Sequence, residues 1–208
     1  MAFPIVRSAS GEVNVGTTIP YPPIIKAGDT LVWFCGGDTT PDAPTESGWT
    51  LLADYNAFGR VYVFYKTATG SESGTFTADS SRYYNVIAAI NAGSGATVTC
   101  SVTTQTGDTP DPPSHTPAGG AREYLWLAFG GASATNFTTP IGAPTDYTLF
   151  YSANGLALAY RNLNAASDDP GVFTDNDANT ASAARAATVA IFGAPIFDSN
   201  NLFFGSNF

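Results

Sequence analysis

The sequence predicts an all-β protein, an antiparallel, jelly-roll-like β-sandwich built from two pseudo-repeated halves. Charged residues make up only 12% of the chain, while Gly, Thr, Ser, Ala, Asn and Pro are abundant. This composition suits many short strands joined by turns and leaves little material for amphipathic surface helices. No long segment has a sustained helical period, and only the Ala-rich residues 179–187 could form one or two helical turns or, equally, a strand of small residues.

The order of segments in residues 28–77 is repeated in residues 125–174. In the second half LWLAFGG corresponds to LVWFCGG, DYTLF to GWTLL, GLALAYR to GRVYVFYK, and PGVFT to SGTFT. A period of about 95 residues is too long for a solenoid repeat. We therefore interpret the repeat as two halves of one β domain.

The length predicts one domain, because 208 residues lie within the range of single all-β domains. We place it at residues 1–193, with half one at about 11–104 and half two at 121–193. Between them, residues 107–120 contain four prolines and cannot hold a strand ladder, so they form the connector. Residues 194–208 form a separate tail.

The strands of half one can be assigned from their patterns. Residues 30–35 are apolar on both faces, which predicts a central strand, and residues 60–66 alternate as in a strand with two different faces. We predict a closing strand at 74–77 and a separate return strand at 83–90. The polar, β-branched residues 97–104 are typical of an edge strand. The three tryptophans, which fall in or at the start of apolar strands, are interpreted as core: Trp33, Trp49 and Trp126.

Charge and targeting signals restrict the partners. The formal charge of −9, without a local cluster of Lys or Arg, repels phosphate backbones and anionic headgroups, so nucleic-acid binding is not expected. The start MAFPIVRSAS lacks the basic and apolar regions of a secretory signal, and no later segment is apolar enough to span a bilayer. We expect synthesis in the cytoplasm without a signal peptide and no membrane insertion.

No catalytic set is expected. His115 is the only histidine and lies in the Pro-rich connector, where we interpret it as a turn residue bonded to nearby backbone. A Ser/His/Asp triad would have to recruit this histidine, and no G-x-S-x-G element is present. Glu72 and the other glutamates could form a glycosidase pair only through folding, and acidic turn residues are more often solvated. The sequence therefore favours a protein without enzymatic activity.

Metal and cofactor sites are not expected either. The acidic loops at 38–42 and at 168–177 could supply oxygen ligands for Ca²⁺, but neither has the ordered spacing of a calcium loop. We interpret them as solvated turns. Cys35 and Cys100 could pair, although a reducing cytoplasm favours free thiols.

Two groups of residues are candidates for partner binding. One of the adjacent Tyr83 and Tyr84 must point outward from a strand, where its ring could stack on a sugar or a partner protein, although half-buried core tyrosines are the more common alternative. The tail is dense in apolar side chains that must either fold back or dock on a neighbour. These tail residues are Phe197, Leu202, Phe203, Phe204 and Phe208.

A family resemblance adds to this interpretation. A series of motifs extends along nearly the whole chain. It begins with GD before an apolar strand, then GWTLL, an alternating strand ending in FYK, and ATGSESGTFT, and it continues with PPSHTP, YLWLAFGG and TVAIFG. This order resembles a β-sandwich domain of tailed-bacteriophage virion proteins. The matching residues are packing and turn residues rather than catalytic ones.

The resemblance implies a structural component of a phage or phage-like particle, located in the virion. The expected role is a capsid decoration or cement protein, or a head spike, on the outer head surface. The alternative is a receptor- or carbohydrate-binding module of a tail or head fibre. The implied partners are other virion proteins such as the major capsid or tail protein, further copies of this chain, and a host-surface glycan in the alternative role.

Overall fold

The computed structural model describes residues 3–37, 46–56, 59–93, 95–107, 109–132, 142–153, 155–174 and 183–193, and for 13–16, 37, 56 and 79–83 the backbone alone. These residues contain ten strands and no helix. The strands are β1 (Ile5–Pro20), β2 (Thr30–Gly37), β3 (Thr50–Asn56), β4 (Arg60–Thr67), β5 (Thr75–Asn91), β6 (Thr97–Gln105), β7 (Arg122–Ala132), β8 (Thr148–Ala153), β9 (Leu156–Ala165) and β10 (Ala184–Phe192). Nothing in these ranges is a helix long and apolar enough to cross a membrane.

The strands form two five-stranded antiparallel sheets with the same topology. Sheet one has the order β1-β5-β2-β4-β3 and sheet two the order β6-β10-β7-β9-β8, so each strand has a counterpart five strands later. The all-β sandwich of two repeated halves is confirmed. The division between the sheets lies between β5 and β6, whereas the sequence prediction placed it after residue 104. The polar β6 has no sequence similarity to β1, its counterpart, and the pattern alone therefore did not assign it to half two.

The two sheets pack face to face around one core. The inward side chains of both sheets form a single buried cluster. It includes Val32, Phe34 and Val63 from sheet one and Leu127 and Phe129 from sheet two. At its centre the rings of Phe34 and Phe129 stack with their centroids 5.5 Å apart and their planes inclined by 11°. Both sheets therefore depend on each other to bury their inner faces.

The registers of the two sheets define the repeat more closely than the sequence motifs do. Phe34 pairs with Val63, and Phe129 pairs with Leu158, so the equivalent positions in these strands differ by 95. Aligning the glycine pairs at the ends of LVWFCGG and LWLAFGG gives 94 instead. Because side chains alternate between faces, that shift by one residue would match inward side chains to outward ones.

Several strand predictions can now be compared with the structure. β2 lies at the centre of its sheet and β6 at an edge, as predicted. The predicted strands at 74–77 and 83–90 are one strand, β5, because β1 pairs with it along both parts. Of the Ala-rich residues 179–187, the last four belong to strand β10, and 179–182 lie outside the described residues. Trp33 and Trp126 are fully buried, but Trp49 is only half-buried.

The outer faces of both sheets are covered by further aromatic residues. On sheet one the cluster contains Trp33, Tyr62 and Phe64, with Tyr21, Trp49 and Phe76 packed against it. On sheet two it contains Tyr124, Trp126, Tyr147 and Phe173. In each outer cluster a cation lies over an aromatic ring and pairs with an acid, Lys66 with Glu72 and Arg161 with Asp168, so these clusters define the candidate site.

Candidate functional site

The outer cluster of half one is organised around Lys66. Its ammonium lies 5.0 Å from the ring centres of both Tyr21 and Trp49. It also donates a hydrogen bond to the Tyr21 hydroxyl at 3.0 Å and lies 3.3 Å from a carboxylate oxygen of Glu72. Trp49 in turn packs on Trp33 and Phe76, with centroid distances of 5.4 and 5.7 Å. The aromatic faces are therefore already occupied by this chain's own groups.

Glu72 is held as a carboxylate by its loop. It accepts hydrogen bonds from the backbone N–H groups of Thr69 at 3.0 Å and Gly70 at 2.9 Å. Burial alone would raise the pKa of Glu72, but these N–H groups and the Lys66 ammonium outweigh it and hold the pKa at about 2. The acid thus carries a negative charge beside Lys66 at any ordinary pH.

The outer cluster of half two is organised around Arg161. Its guanidinium carbon lies 4.9 Å from the ring centre of Tyr147, and its Nε donates to Asp168 at 2.9 Å. A second guanidinium nitrogen donates to the other oxygen of Asp168, and the Tyr147 hydroxyl donates to the same carboxylate. Burial raises the pKa of Tyr147, which therefore stays protonated as the donor.

The two clusters occupy equivalent places in the two halves. Lys66 and Arg161 differ by 95 positions, the offset of the strands that carry them. Trp49 and Tyr147 each precede the third strand of their half, and each follows a residue in the left-handed region, with φ of 78° at Gly48 and 65° at Asp146. Both halves therefore place a cation against an aromatic ring and an acid in the next loop.

His115 lies in the connector, and its ring contacts β6. Its two ring nitrogens are each 2.9 Å from a hydroxyl, Ser101 at Nδ1 and Thr99 at Nε2. Its backbone exchanges hydrogen bonds with that of Asp168, which is distant in the sequence, so the predicted turn contact with nearby backbone is replaced by a bridge to the loop after β9. Burial lowers the pKa of His115, so the neutral ring donates through one nitrogen and accepts through the other.

This geometry is not that of a catalytic triad. Ser101, His115 and Asp168 come together, but the Asp168 carboxylate binds Arg161 and Tyr147 rather than the imidazole. Neither imidazole nitrogen is oriented by an acid, which is the role that the third member of a triad performs. The arrangement can hold β6, the connector and the loop after β9 together.

An open groove lies at the end of sheet two where β7 begins. It has a volume of about 470 Å³ and is lined by Arg122, Glu123, Asn164 and Phe192. The Arg122 guanidinium lies 4.9 Å from the Phe192 ring centre. Among the described residues this groove therefore combines a ring with side chains that can donate and accept hydrogen bonds.

The candidate partner-binding residues fall into two sets. Tyr84 is fully buried between the sheets, with the guanidinium of the buried Arg185 4.9 Å from its ring centre, so it is a core residue. Tyr83 lies in β5 and is described by its backbone alone. The five tail residues lie outside the described residues: Phe197, Leu202, Phe203, Phe204 and Phe208.

The acidic loops and the cysteines were also candidates. Residues 38–42 and 175–177 lie outside the described residues, and Asp168 is bound to Arg161. Within the described ranges no group of three or more His, Cys, Asp or Glu side chains could hold a metal ion. Cys35 and Cys100 are free thiols, and burial raises the pKa of Cys100 to about 12.

Sequence reasoning missed the two cations and Arg185. The signal for Lys66 and Arg161 was present, because both end the alternating strand of their half, in FYK and AYR. Arg185 gave no comparable signal, since it lies in an Ala-rich strand.

Comparisons with known proteins identify no relative. No protein-family model, curated protein or solved structure matches this chain.

Proposed function

We propose that this chain is a non-enzymatic structural component of a phage or phage-like particle, attached to the outer surface of the head as a decoration, cement or spike protein. The observation that carries the proposal is that in both outer clusters a cation of the chain itself pairs with an acid and lies over an aromatic ring. Lys66 and Arg161 each neutralise an acid and cover an aromatic ring, so these groups stabilise the sandwich. A rigid body of this kind suits a part that supports or covers a shell.

The net charge and the position of the tail after the last strand support the same role. The formal charge of −9 would repel packaged nucleic acid, which favours a place on the outside of a particle. β10 ends at Phe192 and completes sheet two, so the apolar tail that follows is not needed to complete either sheet. We assign attachment to that tail.

Removal of residues 194–208 tests the assignment. Each docked Phe would contribute roughly 1.5–3 kcal/mol of burial, so loss of several abolishes attachment even after the cost of ordering the tail. The truncated chain should keep the thermal midpoint of the intact chain but no longer co-purify with particles. A large fall in the midpoint would show that the tail packs on its own domain, and absence of the intact chain from purified particles would refute the proposal itself.

A second candidate function is glycan or receptor binding, and the open groove favours it. Asn164, Glu123 and Arg122 offer the planar polar groups that bind sugar hydroxyls, and Phe192 offers a ring edge beside them. A glycan array with the intact chain and an Asn164→Ala variant tests this candidate. Loss of a signal in Asn164→Ala, with the signal retained in Thr50→Ala on the distant β3, would favour it over a purely structural role.

A further inference from the structure

The four edge strands of the sandwich differ in how far they resist pairing with another strand. β1 has three register shifts and carries Arg7 and Glu12. β3 and β8 each contain one register shift, at equivalent positions beside Leu52 and Phe150. Bulges and charges on edge strands are the usual means of preventing association between sheets.

β6 has none of these features. Its nine residues, TVTCSVTTQ, pair with β10 residue by residue without a register shift. The segment contains no charged residue, proline or glycine, and is rich in the β-branched residues that favour strands. Because β6 is the last strand of its sheet among the described residues, alternate residues direct their backbone N–H and C=O groups away from β10. β6 thus presents a regular, uncharged row of donors and acceptors.

The surroundings keep β6 straight. Val98, Cys100 and Val102 pack towards the core between the sheets. On the other face the His115 ring bonds to Thr99 and Ser101. Both faces of the strand are therefore fixed, and no other strand in the described part of the chain pairs with its outer edge.

From these observations we propose that β6 is a self-association edge, where two copies of this chain pair their β6 strands antiparallel about a two-fold axis near Ser101. The two five-stranded sheets then become one continuous sheet. In this register Thr99 lies opposite Thr103 of the second copy, and such Thr pairs stabilise antiparallel strands. The interface requires no second type of partner.

Charge and apolar exposure favour a second copy as the partner. Two chains of formal charge −9 repel each other, and an uncharged strand lets them approach without placing like charges opposite one another. β3 lies across the interlayer space from β6, and its Tyr55, which pairs with the inward-facing Val61, is 41% exposed. Pairing through β6 brings the Tyr55 ring next to the second copy, where its burial adds to the hydrogen bonds.

Sedimentation velocity of the full chain over a dilution series tests the proposal, with Thr103→Lys as the variant and Thr148→Lys as the matched control. Both replace a threonine on an edge strand of sheet two, and both make the net charge less negative. Thr103→Lys places an ammonium in each copy at the interface and should weaken association about tenfold. Thr148→Lys, on the bulged β8, should leave association unchanged.

Amide hydrogen exchange supplies a measurement that needs no variant. In the intact chain the outward amides of β6 should exchange more slowly at high than at low concentration, whereas those of β1 should not change. This comparison decides the question even where Thr103→Lys lowers the thermal midpoint. A chain that stays monomeric at all concentrations would overturn the proposal. So would association that persists in Thr103→Lys and disappears on removal of residues 194–208.

Discussion

The outer clusters of the two halves contain the same kinds of side chain but differ in how far they are closed. In half two, Tyr147 is 8% exposed and Phe173 is fully buried. In half one, Trp49 and Phe76 are only half-buried, and Lys66 lies over the Trp49 ring. One sheet topology therefore supports both a sealed face and a partly open one.

The difference originates at one position of the central strand. Gly130 in β7 lets Phe173 and Pro110 approach so closely that an added Cβ would lie 2.9 Å from each. At the equivalent place in β2, 95 positions earlier, Cys35 occupies that space. The connector can therefore lie directly on sheet two, and it brings His115 against Trp126 as it does so.

The comparison shows which parts of the repeat are fixed and which vary. Strand order, the register between central strands and the cation beside the aromatic ring are common to both halves. The segments that cover the outer faces differ. The halves thus differ mainly in their loops, while the strands form a constant scaffold. In many proteins the loops carry the specific function and the scaffold supports them.

Of the changes that test this comparison, separating the two halves should have the largest effect on stability. Fragments 1–94 and 95–208 each contain one complete sheet, but each would expose its share of the common core around Phe34 and Phe129. We expect neither fragment to unfold cooperatively in urea, as followed by near-ultraviolet circular dichroism. Mixing the two fragments serves as the control and should restore a cooperative transition. Cooperative unfolding of either fragment alone would make the chain two domains.

The fold was largely predictable from the sequence because the strong signals were local. Apolar runs such as residues 30–35 and the alternation in β4 required only the spacing of side chains. The assignment of β6 to sheet two was not predictable in this way, since it depends on pairing with β10, which is distant in the sequence. The register of the repeat failed for a related reason, because glycine pairs can align while their strands are shifted by one residue.

The candidate site was less predictable than the fold. Lys66 and Glu72 are six positions apart, yet their contact depends on the turn that the loop makes after β4. The contacts of Arg161 with Tyr147 require β8 and β9 to pair. Tyr84 was a surface candidate because one of two adjacent tyrosines in a strand must point outward. The structure places Tyr84 in the core. Sequence patterns thus indicated residue types at strand ends but not their partners.

Truncating the equivalent aromatic residues should have the next largest effect. Trp49→Ala and Tyr147→Ala should each lower the free energy of unfolding by about 3–5 kcal/mol, because the larger Trp49 compensates for its greater exposure. Urea denaturation at neutral pH measures both. Tyr147→Phe is the control, since it removes only the hydroxyl that donates to Asp168 and should cost about 1–2 kcal/mol. A near-neutral result at either position would break the equivalence.

Acid should affect half one through Glu72. Its pKa is lowered from 4.5 to about 2 on folding, so its stabilising contribution is complete above pH 4.5 and is lost as the pH falls towards 2. The carboxyl is partly exposed and screened, so we expect this contribution to be only about 1 kcal/mol. Glu72→Gln should flatten this part of the dependence of stability on pH. Asp146→Asn, which removes one exposed negative charge from half two, should leave it unchanged.

The smallest effect concerns the turn that precedes each aromatic residue. Gly48 has φ of 78° with open space around its Cβ position, so a substitution there tests backbone conformation alone. Gly48→Ala should cost about 1 kcal/mol, because alanine is disfavoured in the left-handed region. Gly48→Asn should cost less, since asparagine and aspartate tolerate that region and Asp146 occupies it at φ of 65° in half two. Equal losses of stability for Gly48→Ala and Gly48→Asn would mean that the two turns require different residues. The equivalence of the halves would then be confined to the strands.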